Sequence, residues 1–306
     1  MLNQIMADMR EKPLVSNGFT LSNQPERLGY LQPSDPHQPI EKLWAQYQAQ
    51  GYLWLKQLLD RDEVLAFRSR FFASFRDLGL LAPGSDPMDG IYAGGGDDRA
   101  AIREKMAEIA RTATYEAFCL SKPILQFYEE FLGGPVYLHK RMILRFTRPH
   151  DASATGAHYD LTYLRGGTDR LCSSWIPIGD IPIELGGLVY LEGSDAWGRK
   201  MEAEFAIKNA ELPPEERISA YNKNMTAGGY VTKNLPELAD RLNTRWLMAD
   251  YETGDMVVHS GYMIHAATTN ENEQGIMRLS TDIRYQLVSD PIDPRWQNYW
   301  NPNDGL

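Results

Sequence analysis

Residues 254–270 have the sequence GDMVVHSGYMIHAATTN. A short β-branched run is followed by Gly261 and a second apolar run, which is the pattern of strand segments separated by a turn. Other short β-branched or aromatic segments, separated by glycine and proline, occupy residues 136–149, 169–181, 186–194 and 277–288. This succession of strands predicts a β-barrel or a double-sheet jelly roll in the C-terminal half of the chain.

The N-terminal half carries helical periodicity instead. Gly51 is predicted to end the first helix, because glycine adopts the left-handed conformation at low cost. Asp60 is a suitable N-cap for the next helix. Four helices are predicted, over residues 40–51, 60–79, 100–121 and 122–133, with a strand over residues 52–59.

The order of these segments predicts the domain organisation. Five prolines and little periodicity indicate an irregular leader over residues 1–39. Residues 40–306 are predicted to form a single domain, with a polar, helix-prone insertion at about residues 200–246. The predicted class is α+β, with a jelly-roll core, flanking N-terminal helices and a helical insertion.

The glycine-rich segment MDGIYAGGGDD, residues 88–98, resembles a phosphate-binding loop only superficially. It has no lysine or serine at phosphate-loop spacing, and it does not open a helix directly after a strand. A flexible loop is therefore predicted here rather than a nucleotide site.

Composition and charge exclude several classes of protein. The net charge of −10 and a pI near 5.2 argue against nucleic-acid binding, which requires a concentrated basic surface. No apolar run is long enough to cross a membrane, and the N-terminus lacks the apolar core of a secretory signal. Cys119 and Cys172 form no CxxC pair, so two buried, reduced thiols are expected. These observations predict a cytoplasmic protein.

The tripeptide His158-Tyr159-Asp160, together with His265, suggests a metal site. Two imidazoles and one carboxylate on one face of Fe(II) are the ligand set of non-haem oxygenases. Alternation puts side chains i and i+2 on the same face of a strand, so His158 and Asp160 are expected to point at one ion. The tripeptide alone is weak evidence, and its weight comes from the residues around it.

The chain has six histidines, and four compete with this assignment. His37 and His150 lie beside prolines, where surface positions are expected. His139 and His259 are stronger rivals. His259 would share a strand face with His265, unless a turn at Gly261 changes the phase. His265 is favoured because an arginine follows it at a suitable distance.

That arginine is Arg278, at the start of the predicted strand RLSTDIRYQ. Its rigid fork of donors fits a carboxylate, as required to anchor an α-keto acid co-substrate. Ser280 lies on the same strand face and can add a hydrogen bond. Arg284 is in phase with both and is the rival anchor.

The order of segments AHYDLTYLRGGTDRLCSSWIPIGDIPIELGGLVYLEGSDAWG, GDMVVHSGYMIHAATTN and RLSTDIRYQ closely resembles the phytanoyl-CoA dioxygenase-like family. The resemblance extends over about residues 40–290 and includes QAQGYLWLKQLLDRDEV. It implies a double-stranded β-helix, a cupin-like jelly roll, and an oxygenase that uses Fe(II), 2-oxoglutarate and O2.

The resemblance also implies roles for individual residues. The catalytic metal ligands would be His158, Asp160 and His265, with Arg278 and Ser280 holding 2-oxoglutarate and Trp175 nearby. Gly186 and Gly187 would be structural, at a chain reversal between strands. Halogenating relatives replace the carboxylate ligand with a small residue, so the presence of Asp160 favours hydroxylation.

The resulting functional prediction is a dioxygenase that hydroxylates an unactivated C–H bond and releases succinate and CO2. Lys140, Arg141 and Arg145 are candidates for reading an anionic substrate group, although ordinary ion-paired arginines are the stronger expectation. No basic cluster sufficient for coenzyme A phosphates is evident, so a natural-product or amino-acid-like small molecule is predicted.

The residues are also compatible with two other classes of protein. One is a cupin-like metal-dependent isomerase, epimerase or 2-oxoglutarate-independent dioxygenase, which would not need Arg278. The other is a non-catalytic jelly-roll module that binds, for example, sugars.

The substrate lid is expected to come from segments outside the core. A packed terminus or a homodimer contact is the stronger expectation for the aromatic residues of the C-terminal tail. The lid candidates are Ile91, Tyr92, Tyr221, Tyr230 and Trp246, together with Trp296, Tyr299 and Trp300 of that tail.

Overall fold

The computed structural model describes residues 13–225 and 227–301. Nine helices lie within these residues. They are α1 (Ile40–Gln50), α2 (Arg61–Ala73), α3 (Arg99–Ile109), α4 (Ala113–Cys119), α5 (Lys122–Leu132), α6 (Leu161–Leu164), α7 (Ser194–Lys208), α8 (Pro214–Ile218) and α9 (Leu235–Leu242). Short 3-10 turns lie at Arg76–Leu78, Ile183–Leu185, Ala227–Gly229 and Pro294–Gln297.

The described strands alternate with these helices and turns along the chain. They are β1 (Val15–Ser16), β2 (Phe19–Thr20), β3 (Leu28–Tyr30), β4 (Pro33–Ser34), β5 (Tyr52–Leu55), β6 (Val136–Leu138), β7 (Ile143–Thr147), β8 (Cys172–Pro177), β9 (Leu188–Leu191), β10 (Trp246–Met248), β11 (Met256–Ser260), β12 (His265–Ala267) and β13 (Arg278–Leu287).

The ends of the first two long helices follow from local chemistry. Helix α1 ends at Gly51, whose φ of 77° is left-handed and whose N–H donates to the Tyr47 carbonyl. Helix α2 begins after Asp60, whose carboxylate accepts a hydrogen bond from the Glu63 N–H. Both helix ends agree with the sequence prediction.

Two sheets form the core. The larger has the strand order β4-β5-β11-β8-β13-β6, with β7 also paired to β13, and the smaller has the order β12-β9-β10-β3. The pairs within them are antiparallel except for β3 with β10 and β4 with β5. The predicted α+β class and cupin-like jelly-roll core are confirmed. Among the described residues the two sheets form a sandwich rather than a closed barrel.

Side-chain alternation divides the interior into layers. Trp175, Tyr190 and Val257 belong to a cluster that draws on both sheets and fills the space between them. The alternate positions of the larger sheet, such as Ile176 and Val258, pack against α1 to α5 in a second cluster. The metal-site candidates lie within the layer between the sheets.

The predicted insertion is a set of helices between β9 and β10. It contains α7, α8 and α9, and it begins with Ser194, earlier than the predicted residue 200. Trp246 belongs to β10, where its side chain is buried and its indole N–H donates to the Leu235 carbonyl. Its assignment to a lid is therefore wrong, because it is part of the core.

The N-terminal segment predicted as an irregular leader contains short strands from Val15 onwards, and residues 1–12 lie outside the described residues. Strands β3 and β4 add a parallel strand to one edge of each sheet. Cys119 and Cys172 are both buried and unbridged. In the described part of the chain, no helix combines the length and apolar character that crossing a bilayer requires.

Candidate active site

The imidazoles of His158 and His265 are brought together by the backbone. The two residues pair antiparallel, with N to O distances of 3.0 and 2.9 Å, and their ring centroids lie 4.3 Å apart. His265 begins β12, and the segment containing His158 lies alongside it. Both side chains are buried. The backbone pairing therefore fixes the relative positions of two candidate ligands that are distant in sequence.

Asp160 completes the cluster by a different route from the one predicted. Its backbone is helical, with φ of −64° and ψ of −31°, because it precedes the short helix α6. The expectation that His158 and Asp160 share the face of one extended strand is wrong. The turn into α6 nevertheless directs the Asp160 carboxylate at both imidazoles.

The donor atoms of these three residues face one another. Asp160 Oδ1 lies 3.6 Å from His158 Nε2 and 3.7 Å from His265 Nε2. These separations exceed a normal hydrogen bond. One ligand atom from each residue lies within 4.8 Å of the others, a grouping that could hold a metal ion. Two nitrogens and one carboxylate oxygen suit Fe(II).

The other nitrogen of each imidazole is held by a backbone carbonyl. His158 Nδ1 donates to the Gly156 carbonyl at 2.9 Å, and His265 Nδ1 donates to the Met263 carbonyl at 3.0 Å. A proton on Nδ1 leaves Nε2 with a free lone pair, which is the form that binds a metal. Burial, followed by the neighbouring histidines, holds the pKa of His265 well below its usual range, so the ring is neutral.

The second carboxylate oxygen of Asp160 faces a row of three side chains, two of which donate hydrogen bonds to it. His259, Ser173 and Arg284 are register partners on the adjacent strands β11, β8 and β13. Ser173 Oγ donates a short hydrogen bond to Asp160 Oδ2, and an Arg284 N–H donates to the same oxygen at 3.1 Å. This row leaves Oδ1 as the oxygen that faces the two imidazoles.

The charge of Arg284 determines the ionisation of Asp160. Burial alone would raise the pKa of this carboxyl group, but Arg284 and then the surrounding histidines hold it well below its usual range. Asp160 is therefore an anion, as a metal ligand must be. Arg284, which the sequence offered as the rival co-substrate anchor, contacts Asp160 instead.

His259 is part of this arrangement, as its spacing from His265 suggested. Its Nε2 lies 3.5 Å from Asp160 Oδ2, and its Nδ1 lies 3.2 Å from the Tyr190 hydroxyl. The Nε2 atom has no hydrogen-bond partner among the described residues. The sequence identified His259 only as a rival ligand, and the structure places it behind Asp160.

The other three histidines lie away from the cluster. His139 is buried and its Nε2 donates to Gln286 Oε1 at 2.9 Å. His37 and His150 are exposed, as their proline-flanked positions predicted.

Arg278 and Ser280 lie on the face of β13 that also carries Arg284. Arg278 is buried and donates to the Gly186 carbonyl, while its Nε has no partner among the described residues. Burial lowers the pKa of Arg278 to about 10, which leaves it charged at neutral pH. The Ser280 hydroxyl is also buried and without a partner there. Unsatisfied donors of this kind are expected where a ligand supplies the acceptor.

Trp175 and Gly186 support this region. Trp175 lies two residues after Ser173 on the same strand face, and its ring contacts Tyr251 with centroids 4.7 Å apart. Gly186 has a φ of 76°, and a Cβ there would lie 2.6 Å from the Thr268 carbonyl oxygen. The prediction of Gly186 as a structural glycine is thus explained by its conformation and by the lack of space.

The insertion contacts the segment that carries the ligands. The Tyr159 hydroxyl donates to Glu202 of α7 at 2.9 Å, and the Tyr163 hydroxyl donates to the Gly228 carbonyl at 2.6 Å. The Tyr230 ring centroid lies 5.9 Å from that of His158. Tyr230 therefore borders the site, as a lid residue would, whereas Tyr221 is exposed.

The aromatic tail is partly integrated into the core. Trp296 is buried, and the guanidinium of Arg284 lies 4.9 Å from its ring centroid. Trp300 packs against the cluster between the larger sheet and α1 to α5, and against a further cluster that contains Trp246 and Trp296. For Trp296 the interpretation as a packed terminus agrees with the structure.

Comparison with known families decides the relationship that these features suggest. The family model described as phytanoyl-CoA dioxygenase (PhyH) matches residues 47–279. The chain belongs to the phytanoyl-CoA dioxygenase family. The predicted family and its class of enzyme, an oxidoreductase, are therefore confirmed.

Relatives of this phytanoyl-CoA dioxygenase family member are known by sequence and by structure. The 1-deoxypentalenic acid 11-beta-hydroxylase of Streptomyces arenae is 24% identical over 251 residues, which cover 79% of this chain and 80% of that protein. The epimerase SnoN, solved with Fe3+, alpha ketoglutarate and nogalamycin RO, is 18% identical with a TM-score of 0.54, over 87% of this chain and 91% of SnoN.

A third relative is EctD from S. alaskensis, solved with bound Fe. It is 16% identical with a TM-score of 0.54, over 93% of each chain. At these identities the structural matches show a common fold. Proteins of this fold thus include structures with iron and alpha ketoglutarate bound, and the donor set of His158, Asp160 and His265 fits such a metal.

Proposed function

We propose that this protein is an Fe(II)- and 2-oxoglutarate-dependent dioxygenase that hydroxylates an unactivated C–H bond of a small molecule. One observation carries the proposal: the ligand atoms of the buried residues His158, Asp160 and His265 face one another, all within 4.8 Å. Membership of the phytanoyl-CoA dioxygenase family supports it. When bound, iron and 2-oxoglutarate use O2 to oxidise the substrate, with release of succinate and CO2.

The protein's own residues prepare this site. The proposed ligands are His158, Asp160 and His265. Neighbouring groups keep Asp160 charged and His265 neutral, and the Gly156 carbonyl orients the His158 ring. Arg278 offers a buried charged fork for the distal carboxylate of 2-oxoglutarate, and Ser280 offers a hydroxyl on the same strand face. Trp175 packs beside this region and excludes water from it.

Hydroxylation is favoured over other outcomes of the same chemistry. The relative from Streptomyces arenae, which is similar in sequence, is named as a hydroxylase, whereas SnoN, which is similar in fold, is named as an epimerase. Asp160 supplies the carboxylate that halogenating relatives lack. A natural-product or amino-acid-like substrate is consistent with the small molecules that these relatives' names contain, 1-deoxypentalenic acid and nogalamycin RO.

Localisation and assembly form part of the proposal. We expect a cytoplasmic protein, supported by two buried, unbridged cysteines. A homodimer stays a prediction, which light scattering of the purified protein would test.

The proposed function is tested by succinate formation. Protein, Fe(II), 2-oxoglutarate and a panel of natural products and amino acids are mixed without oxygen, and succinate is assayed after O2 is added. Wild-type protein is expected to form succinate, and Asp160→Ala protein to form none. Equal absence of turnover from both proteins across the panel would count against the proposal.

The alternative without 2-oxoglutarate makes a different prediction. A cupin-like isomerase or an oxygen-only dioxygenase would bind Fe(II) but would show no charge-transfer band on addition of 2-oxoglutarate. The partnerless Nε of Arg278 favours the 2-oxoglutarate-dependent enzyme, because the alternative leaves this buried cation unused.

A further inference from the structure

Five arginines line one cavity of about 370 Å³. No aspartate or glutamate lines it among the residues that the structure describes. This concentration of positive charge occurs in a chain with 41 acidic and 31 basic residues. The arginines are Arg99, Arg103, Arg145, Arg148 and Arg278. The sequence showed no such cluster, because these residues come from α3, β7, the loop after β7, and β13.

The cavity lies beside the candidate metal site. Ala267 lines it and is two residues beyond His265 on β12. The Ala267 N–H donates to the Thr155 carbonyl at 3.0 Å, and Thr155 also lines the cavity, three residues before His158. The strand and the segment that carry the two histidines therefore form part of the cavity wall.

Two of the arginines are neutralised by carboxylates. Arg148 pairs with Asp97 at 2.6 Å, and Arg145 pairs with Asp282 at 2.8 Å. Asp97 and Asp282 themselves do not line the cavity. Both arginines are thereby held in position by an ion pair while they line the cavity.

Arg99 and Arg103 have no such partner. They lie one turn apart on α3, both are exposed, and no carboxylate within the described ranges pairs with either. Two adjacent like charges at this spacing are unfavourable for a helix by themselves. Both arginines also line a neighbouring cavity that contains Glu104 and Glu108, but neither carboxylate forms an ion pair with them. In the cavity without acidic residues, a ligand would therefore have to supply the negative charge.

Two of the residues that line the cavity also carry buried donors. The side-chain atoms Arg148 Nε and Thr147 Oγ1 are buried, and neither has a hydrogen-bond partner among the described residues. Both residues line the cavity. A buried donor without an acceptor is costly unless a ligand or water supplies one.

We propose that this arginine cavity binds an anionic group of the substrate, a carboxylate or a phosphate, with Arg99 and Arg103 as specificity-determining residues. The inference rests on the proposed function and deepens it by naming the substrate class. The distal carboxylate of 2-oxoglutarate would account for Arg278, but it would leave Arg99 and Arg103 without an anion. Electrostatic attraction by these arginines also draws an anionic substrate to an otherwise acidic protein.

The test uses protein loaded with Mn(II) and 2-oxoglutarate, with inorganic phosphate and acetate as separate probes in calorimetric titrations. At least one probe is expected to bind saturably to wild-type protein. The double variant Arg99→Ala/Arg103→Ala should bind it at least tenfold more weakly. Arg76→Ala, at an exposed arginine outside the cavity, should bind it as wild type does. Stronger binding of phosphate or of acetate identifies the preferred anion.

Two results would overturn the inference: no saturable binding of either probe, or equal binding by wild-type and double-variant protein. The affinity for 2-oxoglutarate is measured in parallel. Normal 2-oxoglutarate binding with failed probe binding rejects the anionic substrate alone. Loss of 2-oxoglutarate binding by wild-type protein rejects the proposed function itself.

Discussion

His158 and His265 exchange two backbone hydrogen bonds although 107 residues separate them, and each donates its Nδ1 proton to the carbonyl two residues before it. The two candidate ligands, which form one antiparallel β-bridge, are thus each anchored by the same kind of Nδ1 hydrogen bond. This arrangement sets the direction of both Nε2 atoms before any metal binds. Preorganised donors of this kind raise the affinity of a site, because little freedom is lost on binding.

His259 is predicted to support the metal site without being a ligand. His259→Gln should still bind one iron per chain, with an affinity about 10- to 100-fold weaker, because residues behind the ligands typically have effects of this size. The measurement is competition for Fe(II) against a chelator. Complete loss of iron from this variant, with iron retained by His265→Ala, would show that the ligand was assigned to the wrong histidine.

Arg278 is predicted to anchor 2-oxoglutarate. Loss of charge-assisted hydrogen bonds costs about 1.5–3 kcal/mol, so Arg278→Ala should weaken 2-oxoglutarate binding by about 10- to 100-fold. Arg278→Lys should rescue it only in part, because lysine lacks the planar fork. The band that forms with Fe(II) measures binding, and iron content serves as the control. Unchanged affinity in Arg278→Ala would favour the enzyme class that does not use 2-oxoglutarate.

Gly186 is predicted to be irreplaceable because of both its conformation and its surroundings. Gly193→Ala is the matched control, since Gly193 has a φ of 69° and nothing within 4 Å of an added Cβ. The free energy of unfolding of the control should fall by only about 1 kcal/mol, the cost of a left-handed backbone at a residue with a Cβ. The free energy of unfolding of Gly186→Ala should fall by about 1–3 kcal/mol more, because the added Cβ clashes with the Thr268 carbonyl oxygen. Chemical denaturation measures both, and equal losses would refute the clash.

His139 is predicted to make stability depend on pH. Burial lowers its pKa from 6.5 to about 4, so the folded protein keeps this ring neutral. Between pH 6.5 and 4 the unfolded chain binds a proton that the folded chain does not, and stability falls as pH falls through this window. The gap corresponds to about 3 kcal/mol. His139→Gln should reduce the slope of unfolding free energy against pH there, and an identical slope would contradict the assignment.

The sequence was sufficient for the fold class and for the three ligand candidates. Gly51 and Asp60 carry their signals in the residue itself, so the helix ends were predicted. The ligand candidates around His158 and His265 could be predicted from short segments and from their resemblance to a known family. What made these predictions possible is that each signal lies within a few neighbouring residues.

The remaining features depend on contacts between distant strands. Ser173 was not identified as a functional residue, because its contact with Asp160 exists only after β8 pairs with β11 and β13. Asp160 was placed in a strand, since alternation was the simplest way to align it with His158. The arginine cavity was missed for the same reason, because the residues that form it lie far apart in the chain.

The central claim is that His158, Asp160 and His265 hold one iron on which 2-oxoglutarate binds. Anaerobic titration of the protein with Fe(II) and then 2-oxoglutarate, followed by visible absorption and iron analysis, tests it most directly. One iron per chain and a charge-transfer band are predicted for wild-type protein, with both lost in Asp160→Asn and His265→Ala proteins that circular dichroism shows to be folded. Wild-type protein that binds no iron, or an Asp160→Asn protein that gives the same band, would contradict the account.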